Sequence, residues 1–210
     1  MSENYLKIQQ DYLQKAWTRP RQVLERSIPA EHRRECLHFQ AFGRHCALCR
    51  DHIVLGQETA TGPEGLLVAM YASCTVDKQV QIHPPISFKE LPGSLPYHGA
   101  FYANAERILV PHVPAIAHKQ KEIVASFAGH VNADAVSGDF SFTLYPLPRI
   151  PLYYIFHLPD DEFPASVTCL FAANAIDFMP LDGLADVAEY TARRVRSMTA
   201  GSGGQNNRTP

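Results

Sequence analysis

Between Phe140 and Phe171 the chain leaves little choice but β-structure. Phe140, Phe142 and Leu144 alternate with Ser141, Thr143 and Tyr145, the period of a half-buried strand. Ile150 to Leu158 predicts a second strand and holds the densest apolar run, Tyr153-Tyr154-Ile155-Phe156; Val167 to Phe171 predicts a third. The second strand runs into three consecutive acids, Asp160-Asp161-Glu162, closed by Phe163-Pro164. Sixteen prolines, concentrated from Pro84 to Pro164, argue against long helices in that span.

The flanks carry helical periods. Tyr5, Ile8, Tyr12 and Ala16, with Leu13 and Trp17 beside them, predict an amphipathic helix over residues 3–18, with Thr18 capping a short second helix that has Pro20 in its first turn. That face packs on a core or, alternatively, forms a dimer or partner contact. Leu37, Phe39 and Ala41 alternate up to a turn at Gly43-Arg44, and His45 to Val54 runs back as the second arm of a hairpin. Pro63 opens a helix through Leu66, Leu67, Met70, Tyr71 and Cys74 that is apolar nearly all round and hence buried. The segment 86–91 predicts a strand, Pro92-Gly93 a turn, and Ser94 to Tyr97 a helix start. Helices follow over residues 118–128 and 182–196. This order predicts an α+β fold, a single domain with a mostly antiparallel sheet and packed helices. The expected division is an N-terminal helical arm (1–28), the domain (29–198) and a disordered tail (199–210) of Gly, Ser, Asn and Gln.

The 210 residues carry 19 basic and 21 acidic side chains, a net charge of −2, which provides no electrostatic footprint for nucleic acid or an anionic membrane. Neither a membrane-length apolar run nor a secretory leader is present, which points to a soluble, cytoplasmic protein. Five cysteines, an odd number in a chain that can fold without staples, predict reduced thiols.

Three segments, ISFKELPGSLPYHGAF (86–101), PLPRIPLYYIF (146–156) and PDDEFPASVTCLF (159–171), resemble in order and spacing the domain-of-unknown-function family 3786, found mainly in anaerobic bacteria. The resemblance covers roughly residues 37–196, and its most specific piece is the Asp-x-Glu-Phe-Pro run. Where the family often has tryptophan before the acidic turn, this chain has Phe156 or His157; where it often has Asp after Leu-Phe, Ala172 stands. Some relatives carry an N-terminal iron–sulfur segment, for which residues 1–35 hold no cysteine. The resemblance implies a domain and no established activity.

Three groups of residues bear chemistry. HCALCRDH (45–52) offers His45, Cys46, Cys49 and His52, the residue types of a zinc site. In an extended strand, however, Cys46 and Cys49 point to opposite faces and cannot close on one ion, so no metal is expected and the quartet stands as the alternative. The acids Asp160 and Glu162, with Phe163, His157 and the basic Arg149 and Lys89, make either a turn locked by hydrogen bonds or a binding surface. Finally, a turn feeding a helix leaves backbone N–H groups free for a phosphate or carboxylate, which Lys89, Ser94, Tyr97 and His98 would complete.

No nucleophile, base and oxyanion arrangement is legible, so no catalytic residue is assigned. The preferred reading is a protein that binds a small molecule or cofactor of anaerobic metabolism, its pocket between segments 88–101 and 156–164. The alternative is a non-catalytic protein–protein interaction module, oligomeric, that uses the acidic turn and the N-terminal helix.

Overall fold

A computed structural model describes residues 2–132 and 138–200. The expected tail beyond 200 lies outside these residues. Its first two positions, Thr199 and Ala200, belong instead to the last helix, where Thr199 is buried.

The fold is α+β, with two five-stranded antiparallel sheets among the described residues. The first sheet follows chain order: β1 (Glu31–Arg33), β2 (Cys36–Ala41), β3 (Arg44–Leu48), β4 (Ile53–Leu55) and β5 (Glu58–Thr59). The predicted return strand from His45 to Val54 is thus two strands, broken at Cys49 to His52, where Cys49 N donates to His52 O at 3.0 Å. The β2–β3 turn sits one residue earlier than predicted, on Phe42 and Gly43, both at positive φ (50° and 70°). Paired positive φ values match the twist of a tight hairpin. Phe42 tolerates this backbone because its ring is fully buried, while a Cβ at Gly43 would stand 2.8 Å from Ser126 Oγ.

The second sheet has the order β6 (Ile86–Ser87), β10 (Ser166–Phe171), β9 (Ile150–His157), β8 (Phe140–Leu147), β7 (His130–Val131). Its three long strands are those read from the sequence. Alternation sends Phe142, Leu144, Leu152, Tyr154, Phe156, Cys169 and Phe171 into the core and leaves Ser141, Thr143, Tyr153 and Ile155 on the other face. Phe142, Tyr154 and Phe156 pack ring on ring, with centroids 4.9–5.9 Å apart. Pro146 is tolerated within β8 because the β8–β9 register shifts between Leu144 and Leu147, and its freed carbonyl accepts Phe42 N at 2.8 Å, joining the two sheets.

Helices α1 (Ser2–Thr18) and α3 (Pro63–Cys74) pack together. The buried face of α1 is Gln9, Leu13 and Ala16, rotated from the predicted stripe; Tyr5 and Ile8 stay more than a third exposed. A polar residue occupies the inward position because Gln9 Nε2 donates to Ala60 O at 3.0 Å. Gly65 permits this approach, since a Cβ there would lie 2.6 Å from Ala60 O. Thr18 does not cap α2 (Arg21–Ser27): its hydroxyl donates back to Lys15 O, and Pro20 stands at the N-cap. The predicted strand 86–91 stops at Ser87, because a capping box between Ser87 and Glu90 turns Phe88–Glu90 into a 3₁₀ turn. Two short turns lead through α4 (His98–Phe101) and a π-helical turn, Tyr102–Glu106, to α5 (Val113–Ser126). That helix begins five residues before the predicted start, because Pro114 falls in its first turn, where no N–H is required. Helix α6 (Leu181–Ala200) buries Leu184, Val187, Ala188, Ala192 and Val195 and closes the common core.

The cysteines depart from expectation. Cys36 and Cys49 form a disulfide across the ends of the β2–β3 ladder, with Cα atoms 4.4 Å apart; Cys46, Cys74 and Cys169 are free. The ladder carries Cys36 and Cys49 one position beyond the Leu37–Leu48 pair, so registration alone brings their side chains together.

Candidate functional site

The acidic turn is tied by Asp160. Its Oδ1 accepts the backbone N–H groups of Glu162 at 2.8 Å and Phe163 at 2.7 Å, while Asp160 N donates to Phe163 O at 3.0 Å. These bonds from Phe163 and Glu162 hold the Asp160 carboxyl below its ordinary range. The backbone of the turn is therefore locked by hydrogen bonds. Phe163 does not turn inward: it is 66% exposed, because the Asp160 loop curls the chain outward before β10 begins. His157, Asp161 and Glu162 are also exposed.

Arg149 occupies the β8–β9 turn and faces away from the acids. Its guanidinium donates to Ser27 O (2.7 Å), Lys78 O (2.6 Å) and Arg26 O (2.7 Å) and pairs with Asp77 at 3.3 Å. It clamps the end of α2 to the loop after α3, with its donors committed to structure.

Segment 86–101 is a wedge. Phe88 stacks on Phe101 at 4.4 Å, and both rings meet Phe171 at 5.7 Å. Lys89 and Tyr97 are exposed; Ser94 is buried with its Oγ unpartnered, as is His98 Nδ1. The expected helix start here is a 3₁₀ turn, Leu95–Tyr97, followed by the four-residue α4, too short for the aligned dipoles of an anion-binding terminus. The wedge and the acidic turn are set apart where the sheet fixes them. β6 meets β10 at Leu170 and Phe171, whereas the acidic turn leaves β9 opposite Ser166. At about 3.3 Å per residue those places are roughly 15 Å apart along the strand.

The cysteine–histidine quartet is dispersed. Cys49 is committed to the disulfide, His52 Nδ1 pairs with Asp51 at 2.7 Å, and Cys46 faces the core, where burial pushes its thiol up to about 12. Among the described residues no three His, Cys, Asp or Glu side chains are grouped to hold a metal, and no helix is long and apolar enough to cross a membrane.

One arrangement that brings polar groups to a concavity lies on the outer face of the second sheet. A groove of about 360 Å³ is lined by Ile82, His83, His130, Val131, Asn132, Thr143 and Tyr153. Alternation places Thr143 and Tyr153 opposite each other on this face, and β7 sets His130 opposite Thr143. Thr143 Oγ1 donates to Asn132 Oδ1 at 3.1 Å, Asn132 Nδ2 donates to Ser141 Oγ at 3.3 Å, and Ser141 Oγ lies 3.4 Å from the Tyr153 hydroxyl. Ser141 and Thr143 are almost fully buried, although they face away from the core. With the amide N–H on Ser141, the serine proton is free for Tyr153, and the phenol proton for whatever enters the groove. Ser141 and Thr143 were visible in the sequence as the polar half of the β8 alternation, whereas Tyr153 stood in an apolar run, and His83, His130 and Asn132, brought in from a loop and an edge strand, had no local pattern to mark them.

A second polar cluster is sealed in the core. Glu106, at the end of the π-helical turn, accepts Cys169 N at 2.8 Å, and burial raises its carboxyl above the ordinary range. Tyr154 and Cys169, both fully buried, lie against it, and burial raises both groups further. The Tyr154 hydroxyl faces Cys169 without a well-formed hydrogen bond.

A family model described as "Domain of unknown function (DUF3786)" matches residues 21–194. The chain belongs to the DUF3786 family. The match takes in both sheets of this DUF3786 protein and the helices from α2 onward, α6 as far as Arg194, and it begins before the resemblance read from the three segments. No curated protein and no solved structure matches the chain.

Proposed function

We propose that this DUF3786 protein binds a small polar molecule in the groove on the outer face of its second sheet. The observation that carries the reading is the hydrogen-bonded chain from Thr143 through Asn132 and Ser141 to Tyr153, in which Ser141 and Thr143 are buried. Hydroxyls withdrawn from water on a non-core face, and ending at a concavity with two histidines, suit recognition more than packing. The Tyr153 hydroxyl, the Asn132 amide and the two histidines suit a ligand that bears carbonyl, hydroxyl or carboxylate oxygens. On the resemblance read from the three segments, such a ligand would be a metabolite or a cofactor of anaerobic metabolism. Ligand-observed NMR against a library of small carboxylates, amides and heterocycles tests it. Hits should be lost in both Tyr153→Phe and His130→Ala, and hits that survive both substitutions would move binding elsewhere.

The interaction-module reading has its own support. Phe163 and Leu158 stand exposed on the acidic turn beside Asp161 and Glu162, and Tyr5 and Ile8 are exposed on α1. An apolar group ringed by acids suits a basic protein surface or a second copy. Light scattering should then show an oligomer that Phe163→Asp dissociates; a monomer at high concentration would remove the self-association form of this reading.

A further inference from the structure

We infer that the outer face of the first sheet carries a two-histidine site for a divalent transition metal, formed by His38 on β2 and His45 on β3. Gln40 pairs with His45 and His38 with Ala47, so the two histidines are diagonal neighbours on one face of the ladder. The ladder is held from the other side by Leu37, Phe39, Cys46 and Leu48, all buried, which fixes the two Cα positions. Nδ1 of His38 and Nε2 of His45 lie 3.3 Å apart, and the ring centroids 5.2 Å apart.

Those separations are compatible with two bonding arrangements. One is a hydrogen bond from one ring to the other, at the long end of its range. Two imidazoles on one tetrahedral ion, each with a metal–nitrogen bond of about 2.0–2.1 Å, hold their nitrogens about 3.3–3.4 Å apart; with each ring centre a further ~1.2 Å out, the centroids lie about 5.3 Å apart. Both observed distances match this second pair. The rings are therefore spaced for an ion with little rearrangement, and His45 is reachable from solvent.

Among the described residues no third His, Cys, Asp or Glu joins them. Glu31, opposite His38 in register, is engaged by Arg33. The site thus offers two imidazole nitrogens and leaves the remaining positions to water. Imidazole donors select zinc, copper or nickel over magnesium or calcium. This pairing is distinct from the His45–Cys46–Cys49–His52 quartet: only His45 is shared, and its partner comes from the neighbouring strand.

The test uses the full chain, stripped of metal by chelation and kept without thiol reductant so that the Cys36–Cys49 bond stays closed. Titration with Zn²⁺ followed by calorimetry should show a site weakened on the order of tenfold or more in His38→Ala and in His45→Ala, and unchanged in His52→Ala. Long-range ¹H–¹⁵N spectra of the unsubstituted protein provide a reading that does not depend on a variant folding: zinc should shift His38 Nδ1 and His45 Nε2 together. Equal affinity in both alanine variants, or zinc that leaves those two nitrogens unmoved, overturns the assignment.

Discussion

Arg149 gives the sharpest test of how this fold is held together. Its side chain is 15% exposed, and its guanidinium serves three main-chain carbonyls, at Arg26, Ser27 and Lys78. Two of them belong to the last turn of α2, where carbonyls have no intrahelical partner and a cation is favoured. A hydrogen bond to a charged group contributes about 1.5–3 kcal/mol. Truncation to alanine would admit some water to the orphaned carbonyls, so the three bonds together should be discounted to a loss of about 3 kcal/mol. With a urea m-value of about 2 kcal/mol/M, the unfolding midpoint should fall by roughly 1.5 M at unchanged slope. Arg149→Lys keeps the charge but cannot span three carbonyls, so it should recover less than half of the loss. Circular dichroism during urea unfolding of the three proteins measures this. A loss under about 0.5 kcal/mol for Arg149→Ala would show the clamp to be incidental and return Arg149 to the list of groups free to bind a ligand.

Phe163→Ala should cost no more than about 0.5 kcal/mol, because the ring is 66% exposed; a loss of 3 kcal/mol or more, as expected of a buried aromatic, would mean that the ring docks inward. Glu106 has a folded pKa raised by burial, so its contribution is complete below the unfolded value of about 4.3 and is lost as pH rises through the folded value. Thermal melts from pH 4 upward should show Glu106→Gln losing less stability with rising pH than the parent, and parallel curves would contradict the assignment. Opening the Cys36–Cys49 bond, which spans 13 residues, should lower stability by up to about 3 kcal/mol, read as a drop in Tm between oxidised protein and Cys36→Ser/Cys49→Ser; an unchanged Tm would show that the hairpin is already closed without it.

What the sequence disclosed and what it withheld divide along a physical line. The strands over 140–147, 150–157 and 166–171 were legible because each buries one face, and a period of two survives any tertiary arrangement. Helix α3 was legible because it is buried on all sides, so no error of phase was possible. α1 was misphased for the opposite reason: a single hydrogen bond, Gln9 to Ala60, made a polar residue the better inward choice, and only the partner's position reveals that. The strand predicted over 86–91 was lost to a capping box closed within four residues, a local competitor that outweighs strand propensity once Phe88 has an aromatic pocket to enter.

The site residues follow the same division. Asp160, Glu162 and Arg149 attracted notice as charges near turns, and turns are where charges are most often consumed by backbone groups; Asp160 and Arg149 are consumed in that way. The residues that converge on open space are mostly uncharged and come from separate stretches: His83 from a loop, His130 from an edge strand, Tyr153 from a central one. His38 and His45 meet only because a hairpin closes between them in one register, and a shift of one residue would turn His45 to the opposite face of the ladder. Both candidate sites are therefore products of strand registration, which the turn at Phe42-Gly43 fixes for the first sheet and the shift between Leu144 and Leu147 alters for the second. A substitution that displaces the first register should disable the His38–His45 pair, and one that displaces the second should disable the groove.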